Sequence, residues 1–432
     1  MKKIEGGVCA AKGFRAAGVH CGVKANSPAD KNDLALIVSD TVAATAATFT
    51  SNRVKAAPIY VCMEHLENGL AQAIVANSGN ANACAPEGME NAKRMAAAAA
   101  KAAGVDEDKV LVGSTGVIGQ RLNVETIEAH MDEVASKLEA SAAASQTANN
   151  AIMTTDTVEK TAAVAFTCGG KTCHIGGIAK GSGMIHPNMG TMLCFITTDC
   201  AIDPSLLRSA LREVVSKTFN RISVDGDTST NDTCIVMANG MAGNELLDWK
   251  SEEYHAFYNA LYEVALTLAK KMAADGEGAS RLISCTVKHS RAEEYAERLA
   301  KAVIASSLVK AAMYGADANW GRVLCAMGYS KAPFRPEFVN IGFSSAAGSI
   351  TVCENGEAVD FDEDAAKKIL LEKEVSIDVD IQDCVHSEEC LGDGDPTVGG
   401  VVERALEPLG RGGVCRIGGV GNHIARQRAD AL

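Results

Sequence analysis

Lys180-Gly181-Ser182-Gly183-Met184-Ile185-His186-Pro187-Asn188-Met189-Gly190-Thr191-Met192-Leu193 runs directly into Cys194-Phe195-Ile196-Thr197-Thr198-Asp199. A loop punctuated by Gly and Pro gives way to an apolar, β-branched run, which reads as a loop feeding a buried strand. A threonine stands at the junction. A hydroxyl there can attack the preceding carbonyl, move the acyl group from nitrogen to oxygen, and let water cut the ester. The new N-terminus then holds both a nucleophilic hydroxyl and an α-amine. That amine's ordinary pKa of about 7.7–8.0 suits a general base near neutrality. On this stretch alone the plainer reading is that Thr191 is a β-branched residue opening a strand.

Outward from this junction, helical and strand signals mix. Further apolar or β-branched runs at Leu34–Ser39, Lys109–Gly113, Ala162–Thr167, Met192–Thr198, Cys234–Ala238, Ile283–Val287, Phe338–Phe343 and Ser349–Val352 read as strands. Apolar residues recur at helical spacing through Ile127, Met131, Val134 and Leu138, and again through Tyr254, Phe257, Leu261, Val264, Leu268 and Met272. A third helix is expected from Ser290 to about Met313, and an alanine-rich one from Glu90 to Ala103, stopped by Gly104. The order lacks strict strand–helix alternation, so the expected class is α/β, a layered sandwich of mixed sheets and helices. From Asp383 to Leu432 the chain has no aromatic residue, and its apolar runs are broken, as in Val398-Gly399-Gly400-Val401. No element is expected in that tail, which reads as loosely packed or disordered.

Composition excludes several function classes. The net charge is −13 over 432 residues, which argues against nucleic-acid and anionic-membrane partners. No stretch approaches the roughly 20 apolar residues of a membrane span, and Glu5 and a run of glycines sit where a signal peptide needs its apolar core. The expected location is the cytoplasm, where the fifteen scattered cysteines would stay reduced. Cys168/Cys173 and Cys384/Cys390 are among the closest cysteine pairs, neither a CxxC, so no structural zinc is expected. Gly169-Gly170-Lys171-Thr172 lacks the first glycine of a phosphate loop, because position 165 is Ala. Gly419 and Gly421 do not complete a dinucleotide fingerprint, and a calcium loop from Asp225 lacks its closing Glu. No metal or organic cofactor is expected.

The Lys180–Leu193 stretch resembles the processing site of the bifunctional ornithine acetyltransferase/N-acetylglutamate synthase family. Other segments resemble that family in the same order. They include Lys12–Val19, Asn77–Ala83, Ser114–Gly119, Ala151–Thr157, Ser223–Thr233, Asp275–Ala279 and Tyr314–Arg322. The likeness runs from residue 1 to about 380. It implies an N-terminal-nucleophile fold cut between Gly190 and Thr191 into an α chain, 1–190, and a β chain, 191–432, paired as an α2β2 heterotetramer. It implies that Thr191 carries acetyl from N2-acetylornithine to glutamate, releasing ornithine and N-acetylglutamate. Thr115 and Gly116 would form the oxyanion hole, and Thr154, Lys180, Thr191 and Glu277 would bind substrate. In bifunctional members acetyl-CoA is a second acetyl donor, and the sequence does not separate them from monofunctional ones.

Two departures stand out. Gly190 occupies a position where the family usually has Ala. The tail from 383 does not match the family's closing segment, so no site residue is carried onto it. Two rivals remain at this level: a related self-cleaving aminopeptidase or amidase that ends its acyl-enzyme with water, and a disabled homologue that only binds ligand. The polar run Asp225–Asp232 reads as a hydrogen-bonded turn rather than a metal site.

Overall fold

The computed structural model describes residues 1–23, 28–186, 192–248 and 252–382, together with the backbone of 398–402. It divides into two compact units, Met1–Asn220 with Asp227–Asp275, and Arg221–Gly226 with the chain from Gly276 onward. The division does not coincide with the expected processing point at 190/191.

In the first unit the strands are β1 (Lys2–Lys3), β2 (Phe14–Val19), β3 (Leu34–Phe49), β4 (Leu70–Asn77), β5 (Val110–Ser114), β6 (Lys160–Cys168), β7 (Lys171–Lys180) and β8 (Leu193–Thr198). The short β9 (Ile222–Ser223) belongs to the second unit, and β10 (Thr233–Ala238) returns to the first. Among the described residues nine strands form one mixed sheet, ordered β1-β6-β7-β8-β10-β3-β4-β5, with β2 pairing the near half of β3. Neighbours are antiparallel except β8–β10 and β4–β5. β8 and β10 are buried along their whole length, which is why they read as unbroken apolar runs. β3 pairs β2 over Leu34–Ser39 and β10 over Ala44–Phe49. A register shift against β4 between Val38 and Ala43, where Asp40–Val42 are exposed, separates the two halves.

Six helices accompany this sheet: α1 (Ala57–His65), α2 (Gly88–Ala103), α3 (Val124–Ser136), α4 (Ala142–Ile152), α5 (Pro204–Lys217) and α6 (Glu253–Ala274). α6 packs on β6 and β7, and α4 on β2 and β3. Alanine lets α2 bury Ala92, Ala96, Ala99 and Ala100 together with Met95, and Gly104 ends it at φ 69°, donating to the Ala100 carbonyl.

The second unit holds β11 (Leu282–Lys288), α7 (Glu293–Ala305), α8 (Ser307–Tyr314), α9 (Trp320–Gly328), β12 (Asn340–Ser345), β13 (Gly348–Glu354), β14 (Glu357–Ala358), α10 (Glu363–Leu370) and β15 (Glu374–Asp380). Ile283, Cys285 and Val287 alternate into the core with Val375, Ile377 and Val379 of the parallel neighbour β15. The helix expected over Ser290–Met313 is two helices. Ser306 leaves helical geometry and its hydroxyl accepts from the Val309 amide, starting α8 afresh.

The tail is also corrected. Residues 398–402 form β16 (Val398–Val402), antiparallel to β11 and parallel to β9. Backbone N–H and C=O groups make a ladder without any side-chain pattern, so a Gly-rich segment can join a sheet that its hydrophobicity does not announce. The rest of the tail, and with it the expectation of disorder, lies outside the described residues. Among the described residues no helix is long and apolar enough to cross a membrane.

Candidate active site

The register of the first sheet brings four chain segments to one end. Across β7, β8 and β10, Lys180 stands opposite Leu193, and Leu193 opposite Thr233. Gly190 and Thr191, the expected cleavage pair, lie outside the described residues. Met192, next in line, donates its amide to Asp232 Oδ1 at 2.8 Å and accepts from the Thr233 amide at 2.9 Å. Both bonds fix the chain immediately after Thr191.

Asp232 is fully buried. The Thr50 hydroxyl beside it donates to the Ser229 carbonyl at 2.6 Å, and Oδ2 of Asp232 has no hydrogen-bond partner among the described residues. Burial raises its pKa well above the usual carboxylate range, against the opposing pull of the Met192 amide, Thr50 and the Lys180 ammonium.

Beyond β5, Ser114 passes into the loop holding Thr115 and Gly116. Asn77 organises it: its Oδ1 accepts from the Gly79 and Asn80 amides, its Nδ2 donates to Ser114 Oγ, and its carbonyl accepts the Thr115 amide. Asn231 ties this loop to the β10 side by donating to the carbonyls of Ala81 and Ser114 at 2.6 and 2.8 Å. Gly116 sits at φ 130°, against the backbone of Gly79 and Asn80, where no side chain fits. Thr115 Oγ1 accepts from Lys180 Nζ at 3.4 Å, so its own hydrogen is directed elsewhere.

Lys180 is only 3% exposed. Around the end of its strand lies a buried charge cluster. Asp156 accepts from the Gly181 amide (2.7 Å), the Thr154 amide (3.0 Å) and Lys160 Nζ (2.7 Å). Lys160 also donates to Asp275 Oδ2 at 2.5 Å, and Asp275 accepts from both the amide and the hydroxyl of Thr157. Burial alone would raise the pKa of Asp156, but the Lys180 and Lys160 ammoniums and the Gly181 amide outweigh it and hold it below the usual range. Its contribution to stability is therefore present above the unfolded value of about 4 and is lost as pH falls through the lower folded value. Lys160→Met leaves two buried carboxylates short of their shared cation. The expected loss is about 3–5 kcal/mol, measured as a lower denaturant midpoint at unchanged slope. An unchanged midpoint would show that the cluster is not coupled to folding.

The structure thus brings together Thr115, Gly116 and Lys180, and links Thr154 to Lys180's strand end through Asp156. Glu277 lies in the second unit, half-buried in the turn before β11. Sequence reasoning assigned no role to Asp156, Lys160, Asp232, Asp275, Asn77 or Asn231. All but Lys160 fall inside the family-like segments, and only folding shows that Lys160 joins Asp156 to Asp275 and that Asn77 and Asn231 both bond Ser114.

The profile of the ArgJ family matches residues 15–393. An arginine biosynthesis bifunctional protein ArgJ of Caldanaerobacter subterraneus subsp. tengcongensis is 49% identical over 88% of this chain and 94% of its own length. One of Symbiobacterium thermophilum is 48% identical over 90% and 94%. A glutamate N-acetyltransferase of Methanocaldococcus jannaschii is 44% identical over 91% and 96%.

Proposed function

Because the chain belongs to the ArgJ family, we propose that it is a glutamate N-acetyltransferase of arginine biosynthesis that cuts itself between Gly190 and Thr191. The observation that supports this reading is the register Lys180–Leu193–Thr233, which brings the start of β8 level with Lys180, whose ammonium donates to the Thr115 hydroxyl.

In the processing step the Thr191 hydroxyl attacks the Gly190 carbonyl carbon. The C–N bond breaks as the ester forms, and water then hydrolyses the ester, leaving a Gly190 carboxylate and a free Thr191 amine. In turnover the same hydroxyl takes the acetyl carbon of N2-acetylornithine, and its proton passes by way of the α-amine to the departing ornithine nitrogen. Glutamate's amine attacks the acetyl ester, forms N-acetylglutamate and restores the hydroxyl. The Thr115 hydroxyl and the Gly116 amide serve as oxyanion donors. The Thr115 amide already bonds the Asn77 carbonyl, and the Lys180 ammonium on Thr115 Oγ1 makes that hydroxyl a stronger donor. Lys180, Glu277 and Thr154 hold the amino-acid substrate. The enzyme works in the cytoplasm as α2β2, without a metal in its chemistry.

Two measurements test the proposal. Intact mass should give two chains that sum to the full chain plus one water, and acetylornithine with glutamate should yield acetylglutamate. A single uncut chain, or free acetate without acetylglutamate, would reject it, the second in favour of an amidase. Lys180→Ala and Glu277→Ala should each raise KM for donor and acceptor at least 10-fold, because both hold substrate charges, and Lys180→Ala should also lower kcat, because its ammonium strengthens the Thr115 donor. Unchanged KM in both variants removes them from the pocket.

A further inference from the structure

At the other end of the same sheet, away from all of these residues, three cysteines meet. Cys168 closes β6 and Cys173 is the third residue of β7, in the hairpin whose two-residue turn Gly169-Gly170 has both residues at positive φ (53° and 71°). Phe166 stands opposite Cys173 in this hairpin, which puts Cys173 on the same face as Cys168. Cys200 follows β8, two residues past the Thr198–Ile175 pair and thus level with Cys173. The three Sγ atoms lie within 4.8 Å of one another, and all three residues are buried.

Buried thiols are ordinarily small hydrophobes, but this cluster is built differently. Asn244, itself buried, is locked by the Ala201 amide on its Oδ1 and by its own bonds to the Ala201 and Glu245 carbonyls. The same carboxamide donates to Cys168 Sγ at 3.7 Å and accepts from Cys173 Sγ at 3.8 Å. A fixed polar group among the sulfurs stabilises charge on them. The imidazole of His174, paired with Asp199 at 2.8 Å, lies on the strand residue next to Cys173.

We propose that Cys168, Cys173 and Cys200 form a binding site for a thiophilic divalent cation, zinc in the cell, with Asn244 as its orienting group. Zinc–thiolate bonds of about 2.3 Å set sulfurs about 3.8 Å apart, so the triangle closes on one ion with shifts of about 1 Å or less. Binding converts M²⁺ and three thiols into M(S-Cys)₃⁻ and releases three protons to solvent. The Asn244 Oδ1 atom supplies an oxygen for the fourth position. The ion would be structural: it pins β6, β7 and the end of β8 together, about 23 Å along β7 from Lys180.

The test uses untagged full-length protein, equilibrated with zinc chloride or cadmium chloride and dialysed. The proposal expects one ion per chain, three fewer thiols open to reagent than in the chelator-treated protein, and a melting temperature that rises with added zinc. Cys173→Ser should abolish retention, and Asn244→Ala should weaken it about 10- to 100-fold. Replacing the exposed Cys84 and Cys325 together should change neither. No retained ion, or equal retention by Cys173→Ser, overturns the proposal. So does a mass 2 Da low on the peptides of these three cysteines, which would make the cluster a disulfide site. If Cys173→Ser fails to fold, the conservative Asn244→Asp, expected to retain the ion, and Asn244→Ala decide by affinity alone. Equal affinity in both overturns the assignment.

Discussion

Thr191→Ala is expected to give one uncut polypeptide with no acetyl transfer. A single hydroxyl performs both reactions in the proposed scheme, and the methyl of alanine offers neither a nucleophile for Gly190 nor an acceptor for acetyl. The described groups next to it in chain and register have partners of their own. Met192 is held by Asp232 and Thr233, and the Thr115 hydroxyl is tied to Lys180. Removing the nucleophile of a covalent enzyme costs on the order of 10⁶-fold in turnover, so transfer should drop to background. A denaturing gel and an acetylglutamate assay on one preparation check both halves. Two fragments from the Thr191→Ala protein would move the nucleophile elsewhere.

The second large effect is expected at Gly116. A Cβ there would lie 2.8 Å from the Asn80 nitrogen and the Gly79 carbonyl carbon, and 2.9 Å from the Gly79 oxygen, all of them backbone. Its φ of 130° adds strain of about 1–3 kcal/mol for any L side chain. The loop must shift, and Asn77, Asn80 and Asn231 all hold the segments that would have to move. Loss of an oxyanion donor costs roughly 100- to 1,000-fold in turnover, and Gly116→Ala should lose at least that much in kcat. Gly119→Ala is the control. Gly119 also has positive φ, 81°, but a Cβ there meets nothing within 4 Å, so it should lose some stability and keep its rate. Equal kcat for the two variants would detach Gly116 from the chemistry.

The buried strands were legible because both faces are covered. β8 and β10 are built of apolar and β-branched residues throughout, and the expected strand ends fall within a residue of those found. β7 was not legible: Lys171–Lys180 carries Gly176 and Gly177 where the backbones of Gly7 and Phe195 press close, so it lacks the residues that mark a strand. β2, β4 and β15 were missed as well, alanine diluting the first two and alternating acids the third. The site divides in the same way. Thr115, Gly116, Thr154, Lys180 and Glu277 were named through family-like segments. Lys160 has one partner four residues away, Asp156, but the other, Asp275, could come only from the fold, because that contact spans more than a hundred residues of chain. The cysteine triad shows the limit most plainly. Motif spacing argued against a zinc site, whereas the hairpin register and the end of β8 gather the three sulfurs.

β8 lies inside its sheet, hydrogen-bonded to β7 on one side and β10 on the other. The proposed cut at 190/191 would sever the chain beside a strand embedded between two neighbours. The two proposed fragments would stay joined by a full ladder, yet the covalent memory that places β8 between its neighbours would be gone. Folding before the cut is a unimolecular search, whereas after it the same structure must be rebuilt by two molecules meeting. Refolding of the mature protein should accordingly depend on concentration and compete with aggregation of an orphaned apolar strand, while the uncut Thr191→Ala chain refolds at a rate independent of dilution. Maturation of this kind acts as a ratchet: the precursor carries the instructions for assembly, and the active enzyme lasts only as long as it avoids unfolding.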